Sequence, residues 1–203
     1  MLTPVILTDA PRVMGPPQGQ WTAADWETLP DDGNRYEIID GVLYMSTAPS
    51  FFHQWIIFKL HELVGIPAQA QQLAFGIGAP IGVFMPGAEP VQPDYLIVLM
   101  EHRGIIRDRR IYGVPDLIVE VISPGSEVYD REDKLKAYAM AGVPEYGLVD
   151  PRSRTLTHHR LHQPGQYHPP TVYSEGDRVT FDCLPSLSFP LGDLFAGAPD
   201  TTL

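Results

Sequence analysis

A single cysteine, Cys183, stands in this chain of 203 residues. That scarcity excludes an internal disulfide framework and a zinc cage built on thiolates. Basic residues are also few, with 14 Lys and Arg against 25 Asp and Glu and a formal net charge of −11. Such a balance argues against a protein that coats nucleic acid through a general basic surface, while leaving room for an enzyme that touches it only around a cleft. Long apolar runs are missing too. The longest clean one, Tyr95 to Met100, is far short of the ~20 residues a membrane helix needs, so no membrane association is expected. The first residues, Met1-Leu-Thr-Pro-Val-Ile-Leu-Thr-Asp, have no basic n-region and an interrupted apolar run. They do not read as a signal peptide, and a cytoplasmic location is expected. Neither a P-loop, a Gly-rich dinucleotide fingerprint, a Gly-x-Ser-x-Gly elbow nor a His-Glu-x-x-His helix is found, which removes the chemistries those motifs serve.

What is present is an apolar body, 44% hydrophobic and 10% aromatic, long enough to bury a core without staples. Residues 1–19 carry Pro4, Pro11, Pro16 and Pro17 without any period and are expected to form a flexible tail. Residues 20–203 read as one domain with a β-rich C-terminal extension from about 151. Thr22 is expected to cap a short helix ending near Leu29, with Asp25 at the capping-box position. Asp40-Gly41 between Arg35–Ile39 and Val42–Met45 predicts a hairpin, because that dipeptide accepts two positive-φ turn positions. Ser50 is expected to cap a helix running to about Val64 whose buried face holds Phe52, Trp55, Ile56, Leu60 and Leu63.

Strand patterns follow at Leu73–Gly78, Ile81–Met85 and Tyr95–Leu99, then at 116–122 and 145–149 on either side of an amphipathic helix at 128–141 ended by Gly142. Strand, helix, strand in that order predicts a parallel pair with a right-handed crossover. Together with the hairpin-connected strands before it, this makes a mixed sheet. Antiparallel strands are expected over 154–183, followed by a helical turn at 191–195.

Acidic residues inside strands that otherwise want full burial carry the chemical signal. Glu120 sits between Val119 and Val121, where an unpaired carboxylate costs several kcal/mol, so it must be neutralised, hydrogen-bonded or bound to a cation. Asp94 opens the Tyr95–Leu99 strand. Two such carboxylates on adjacent strands form a hard-oxygen site suited to Mg²⁺ or Mn²⁺. The alternative is that Glu120 pairs with a nearby arginine and Asp94 merely ends a loop. Asp116 shares the strand face of Glu120 but lies about 13 Å away at ~3.3 Å per residue, too far for one metal, and reads as a strand-entry residue. Lys134 on the crossover helix either makes a surface ion pair with Asp130, four residues earlier, or supplies an ammonium to the same cleft. His53, in the first turn of the Ser50 helix, either faces that cleft or is structural. The run Arg103 to Arg110 holds four arginines against Asp108 and is either a solvated connection or a phosphate-contacting one. His158, His159, His162 and His168 invite a zinc reading. The adjacent pair would point to opposite strand faces, however, and no cysteine or carboxylate pattern accompanies them.

Six ordered blocks carry a family resemblance: Arg35-Tyr-Glu-Ile-Ile-Asp-Gly-Val-Leu, Ser50-Phe-Phe-His-Gln, Val91-Gln-Pro-Asp, Pro115-Asp-Leu-Ile-Val-Glu-Val-Ile-Ser-Pro, Asp130-Arg-Glu-Asp-Lys and Gly142-Val-Pro-Glu-Tyr-Gly-Leu-Val-Asp. Over roughly residues 21 to 195 the chain resembles the Uma-two family, restriction-endonuclease-like proteins of the PD-(D/E)xK superfamily. The resemblance implies an α/β fold with a mixed central sheet flanked by helices. It implies Asp94 and Glu120 as metal-binding carboxylates and the Val121 carbonyl as a further ligand, with Mg²⁺ or Mn²⁺ as cofactor. The lysine of the (D/E)xK element is replaced by Ile122, and Lys134 matches the helix lysine used instead. His53 and Glu37 match the family's helix histidine and hairpin glutamate, completing a catalytic set of Asp94, Glu120, Lys134, His53 and Glu37. Gly147 stands where an aromatic residue is usual.

The implied activity is metal-dependent hydrolysis of DNA, with Arg107, Arg109 or Arg110 contacting flanking phosphates. Two other readings stay open: a catalytically silent nuclease fold that binds DNA or a protein, and a hydrolase acting on RNA or another phosphodiester. A homodimer is expected by analogy with related nuclease folds.

Overall fold

The computed structural model describes residues 13–30, 34–46, 49–108, 110–123 and 129–199. Residues 1–12 of the expected tail therefore lie outside the described residues. The segment that follows is tied to the first hairpin. The Gln18 side-chain amide donates to the Leu43 carbonyl at 3.0 Å and accepts from the Leu43 N–H at 2.7 Å, and the Gly19 and Trp21 N–H groups both donate to the Gly41 carbonyl. Helix α1 (Ala23–Trp26) is short, and its Thr22–Asp25 capping box is complete. Strands β1 (Arg35–Ile39) and β2 (Val42–Ser46) pair antiparallel around Asp40 (φ 50°) and Gly41 (φ 71°), the mirror-image turn the dipeptide predicts. Gly41 is required twice over, by its φ and because a Cβ there would come within 2.5 Å of the Gly19 carbonyl oxygen.

Helix α2 (Phe51–Leu60) starts at its Ser50 cap but does not stop near Val64. It passes through a π turn at His61–Gly65 into α3 (Ile66–Ala70). The wide turn, closed by an Ile66 N–H bond to the His61 carbonyl, lets the chain carry Pro67 without breaking. The Tyr95 phenol lies beneath it. A Cβ on Gly65 or on Gly76 would collide with the Tyr95 hydroxyl.

The main sheet contains β3 (Ala74–Gly78), β5 (Tyr95–Leu99), β7 (Leu117–Val121), β8 (Glu145–Asp150), β9 (Thr155–Gln163), β10 (Gln166–Tyr167) and β11 (Thr171–Tyr173), with β4 (Gly82–Phe84) and β6 (Arg110–Tyr112) forming a small parallel pair beside it. Its order is β10-β9-β8-β7-β5-β3, and β11 also pairs with β9. Strands β7 and β8 are parallel across the crossover and the other described pairs in this sheet are antiparallel. The mixed sheet is thus realised, and the C-terminal strands extend it directly, while β12 (Arg178–Val179) and β13 (Phe189–Pro190) form a separate two-stranded piece before a 3₁₀ turn at Leu191–Leu194.

Alternation along β5 and β7 sorts the core into two layers. Tyr95, Ile97, Leu117, Val119 and Val121 pack with α2 and the C-terminal segment, whereas Leu96, Val98, Ile118 and Ile122 pack with Tyr138, Tyr146 and the crossover. The crossover is a π turn at Tyr129–Lys134 followed by α4 (Leu135–Ala141), ended by Gly142 at φ 83°. Glu120 shares its strand parity with Ile118 and Ile122 and so meets the crossover. Among the described residues no helix is long and apolar enough to cross a membrane.

Candidate active site

Strand register brings the two conspicuous carboxylates together. Tyr95 pairs with Val119, so the next antiparallel step sets Asp94 beside Glu120 at the mouth of two neighbouring strands. The Asp94 N–H donates to Glu120 Oε2 at 3.3 Å, and the Val121 N–H donates to Asp94 Oδ2 at 2.9 Å. His53 reaches the same point from the first turn of α2, its Nε2 3.2 Å from Asp94 Oδ2. From the crossover, Lys134 Nζ lies 3.0 Å from Glu120 Oε1, 3.1 Å from Glu37 Oε2 and 3.6 Å from Asp130 Oδ1. Glu37, from β1, is held by the Gln92 N–H at 2.7 Å, two residues before Asp94.

Geometry sets the partners of both residues. Glu120 pairs with a lysine, not an arginine. Lys134 is no surface residue: its Asp130 contact is the longest of three inside a buried group. Glu37, Asp94, Glu120, Asp130 and Lys134 are each between 1% and 6% exposed.

The charges of this cluster do not balance. Burial, and after it the neighbouring Asp94, Glu37 and Asp130 carboxylates, push the Glu120 carboxyl well above the usual range, although Lys134 works in the opposite direction. Burial also opposes the Lys134 charge, but Glu120, Glu37, Asp130 and Asp94 outweigh it and hold the ammonium protonated, with its pKa well raised. Four buried carboxyl groups around one buried ammonium leave an excess of negative potential that a hard divalent cation would relieve. The His53 ring also keeps a buried nitrogen, Nδ1, with no hydrogen-bond partner among the described residues. The donor set therefore fits Mg²⁺ or Mn²⁺. Among the described residues no three His, Cys, Asp or Glu side chains converge as a ready-made metal cage, so such an ion would need main-chain and water oxygens beside the two carboxylates.

Tyr138 and Tyr129 also belong to the site, and sequence reasoning overlooks both. The Tyr138 hydroxyl donates to Glu120 Oε1 at 2.7 Å. Burial first, and then the Glu120 and Glu37 charges, keep that phenol firmly protonated. Tyr129 packs against Tyr44 in a tilted pair with centroids 4.1 Å apart, and its ring lies 5.1 Å from Lys134 Nζ. The available signal is spacing, since Tyr138 follows Lys134 by one helical turn, but as an aromatic on an apolar helix face it reads as core.

Other candidates fall elsewhere. Asp116 is a strand-entry residue, accepting from the Leu99 N–H at 2.7 Å and pairing with His102. Arg110 is committed to Glu27 and rests over the Trp26 and Phe84 rings, while Arg103 and Arg107 donate to nearby main-chain carbonyls. Arg109 lies outside the described residues. His158 and His159 do face opposite sides of β9, the first against Glu145 at 2.7 Å, the second between Tyr146 and Tyr167.

A mixed sheet with an acidic pair on adjacent strands and an ammonium delivered from the crossover defines a restriction-endonuclease-like fold. The chain belongs to the Uma2 family, described as "Putative restriction endonuclease", which matches residues 23–192. It is accordingly a member of a nuclease family. Among solved structures, one described as "a putative nuclease belonging to DUF820" from Anabaena variabilis ATCC 29413 is similar, with a TM-score of 0.69 over 86% of this chain and 97% of that one at 20% identity. No curated protein matches the chain.

Proposed function

We propose that this protein is a divalent-metal-dependent endonuclease hydrolysing DNA phosphodiester bonds. The observation that carries the reading is the buried Asp94–Glu120 pair with its excess of negative charge beside Lys134. Asp94, Glu120 and the Val121 carbonyl would hold Mg²⁺ or Mn²⁺, which supplies Lewis acidity toward a phosphate and lowers the pKa of bound water. Lys134 brings a fixed positive charge to the group that would hold the metal, suited to stabilising negative charge on a phosphate as it develops. Glu37 aims that ammonium, and the Gln92 N–H bond couples Glu37 to the loop entering Asp94. His53 buttresses Asp94 from α2.

Full hydrogen bonding of Glu120 within the protein favours one competing reading, a silent nuclease fold in which these acids are structural. Nicking of supercoiled plasmid by the wild type and by Glu120→Ala, in Mg²⁺, Mn²⁺ or EDTA, separates the two. Metal-dependent nicking abolished by the substitution supports the nuclease. Its absence in the wild type, with DNA binding retained, supports the silent fold. Cleavage of an RNA substrate in place of the plasmid would redirect the assignment to another phosphodiester.

A further inference from the structure

We propose that Tyr138 is a positioning residue for Glu120, sharing Oε1 with Lys134 and holding the carboxylate in the orientation a metal would use. The inference rests on the endonuclease reading and deepens it.

Glu120 divides its two oxygens between two tasks. Oε1 takes both side-chain donors, Lys134 Nζ at 3.0 Å and the Tyr138 hydroxyl at 2.7 Å, while Oε2 faces the Asp94 main chain. Lys134 divides its ammonium among Glu120, Glu37 and Asp130. Without the second donor, Oε1 would rest on that shared ammonium alone and the buried side chain would be free to rotate about it. Tyr138 prevents this.

Its own placement fits that task and no direct one. The ring is fully buried and packs edge-on against Tyr146 with centroids 5.2 Å apart, so it cannot touch a substrate. A phenylalanine would fill the same space without burying a hydroxyl, and the described partner of that hydroxyl is Glu120. Because Tyr138 follows Lys134 by four residues, one stretch of chain delivers both donors to Oε1.

The test uses Tyr138→Phe in the full-length protein, with Tyr167→Phe as control. The Tyr167 hydroxyl donates to the Val143 carbonyl at 3.0 Å, so the control also loses one phenol hydrogen bond, but none to Glu120. Mn²⁺ affinity is read from the electron paramagnetic resonance signal of free Mn²⁺ without DNA, and plasmid nicking gives kcat and KM separately. Removing an outer-shell partner of a metal ligand costs about 10- to 100-fold in metal affinity or activity. The expected result is therefore at least about tenfold weaker Mn²⁺ binding and a comparable fall in kcat for Tyr138→Phe, with KM for DNA unchanged. Tyr167→Phe should match the wild type in both. Wild-type Mn²⁺ affinity and kcat in Tyr138→Phe would overturn the positioning role and leave the nuclease reading standing. An equal loss in both variants would also overturn it, since the effect would then be general packing. A wild type that neither binds Mn²⁺ nor nicks would overturn both.

Discussion

Replacing Lys134 by methionine tests whether the acidic cluster is held by one ammonium. Methionine matches the lysine stem in length and polarity, so the change removes little beyond the charge and its three contacts at 3.0, 3.1 and 3.6 Å. Stripping one partner from a buried ion pair typically costs about 3–5 kcal/mol, because the remaining charge is left buried and uncompensated. At pH 8 the urea midpoint should fall by about 1 M or more, taking a slope of roughly 2–3 kcal/mol per M. The loss must depend on pH in a definite direction. Glu120 already titrates above its ordinary value in the fold, and removing Lys134 raises it further. The folded state then binds more protons than the unfolded one between those two values, so stability falls as pH rises, at up to ~1.4 kcal/mol per pH unit for one proton. The deficit relative to wild type should shrink on going from pH 8 to 5.5. A second substitution, Glu120→Gln, should restore much of it at pH 8. Urea titrations followed by tryptophan fluorescence at pH 5.5, 7 and 8 measure all of this. A midpoint equal to wild type at pH 8, or a deficit that grows toward acid, would refute the reasoning.

The Glu145 carboxylate predicts the opposite pH dependence. Burial opposes its charge, but bonds from His158 and from the Asp182 and Cys183 N–H groups outweigh that and leave its pKa lowered. Glu145→Gln should therefore cost about 1–3 kcal/mol at pH 7, with the gap to wild type closing as pH falls below the ordinary glutamate value, as acid titration of both proteins will show. The half-buried His159 ring is held down to about 4 by burial and then by His158. The wild type should lose stability as pH falls from 7 to 5, where the unfolded state alone takes up that proton, and His159→Phe should flatten this loss by roughly 1 kcal/mol after allowing for partial exposure. Gly41→Ala should lower stability by about 1–3 kcal/mol through its φ of 71° and the approach to Gly19, measured in urea, with faster proteolysis between residues 13 and 21.

The parts of this fold that are legible in sequence are those where one residue type has one physical use. Asp40-Gly41 announces its turn, Thr22 and Asp25 their capping box, and Gly142 its helix end. An acid in the middle of Leu117–Val121 is conspicuous because nothing else in that strand tolerates water. Its partner is harder to read, since an arginine or a lysine neutralises a carboxylate equally well and only the crossover decides which arrives. The two π turns leave no compositional mark. A single wide turn changes the register of a helix without changing its residues, and so Gly65-Ile66-Pro67 reads as an ending when the chain continues. Bonds from a proline-rich stretch to the first hairpin are equally silent, as the Gln18 side chain and the Gly19 N–H show. Tyr138 hides for a different reason: its ring belongs to the core and its hydroxyl to the site, and periodicity registers the ring alone.

Ile122 makes the same point from the other side. Two positions beyond Glu120 and just past the end of β7, it continues the face that meets the crossover and packs there with Ile118, Tyr138 and Tyr146. A lysine at 122 and a lysine at 134 would therefore approach Glu120 from the same layer, one along the strand and one from above it. Carrying the ammonium on the crossover leaves Glu120 as the one charged residue of β7, which suits a strand buried on both faces. It also sets the ammonium among three carboxylates, Glu120, Glu37 and Asp130. The cost is a demand on the crossover itself. The Tyr129–Lys134 turn must present Lys134 and, one turn later, Tyr138 to Glu120, with Asp130 beside the ammonium. Moving Lys134 back to position 122, as Ile122→Lys with Lys134→Met, thus tests whether the charge or its mounting matters. Because Glu37 and Asp130 would lose their partner, the exchange should leave the protein less stable than wild type by about 2 kcal/mol at pH 8, even if a cation again faces Glu120. Full recovery of the wild-type urea midpoint would show that the charge alone is enough.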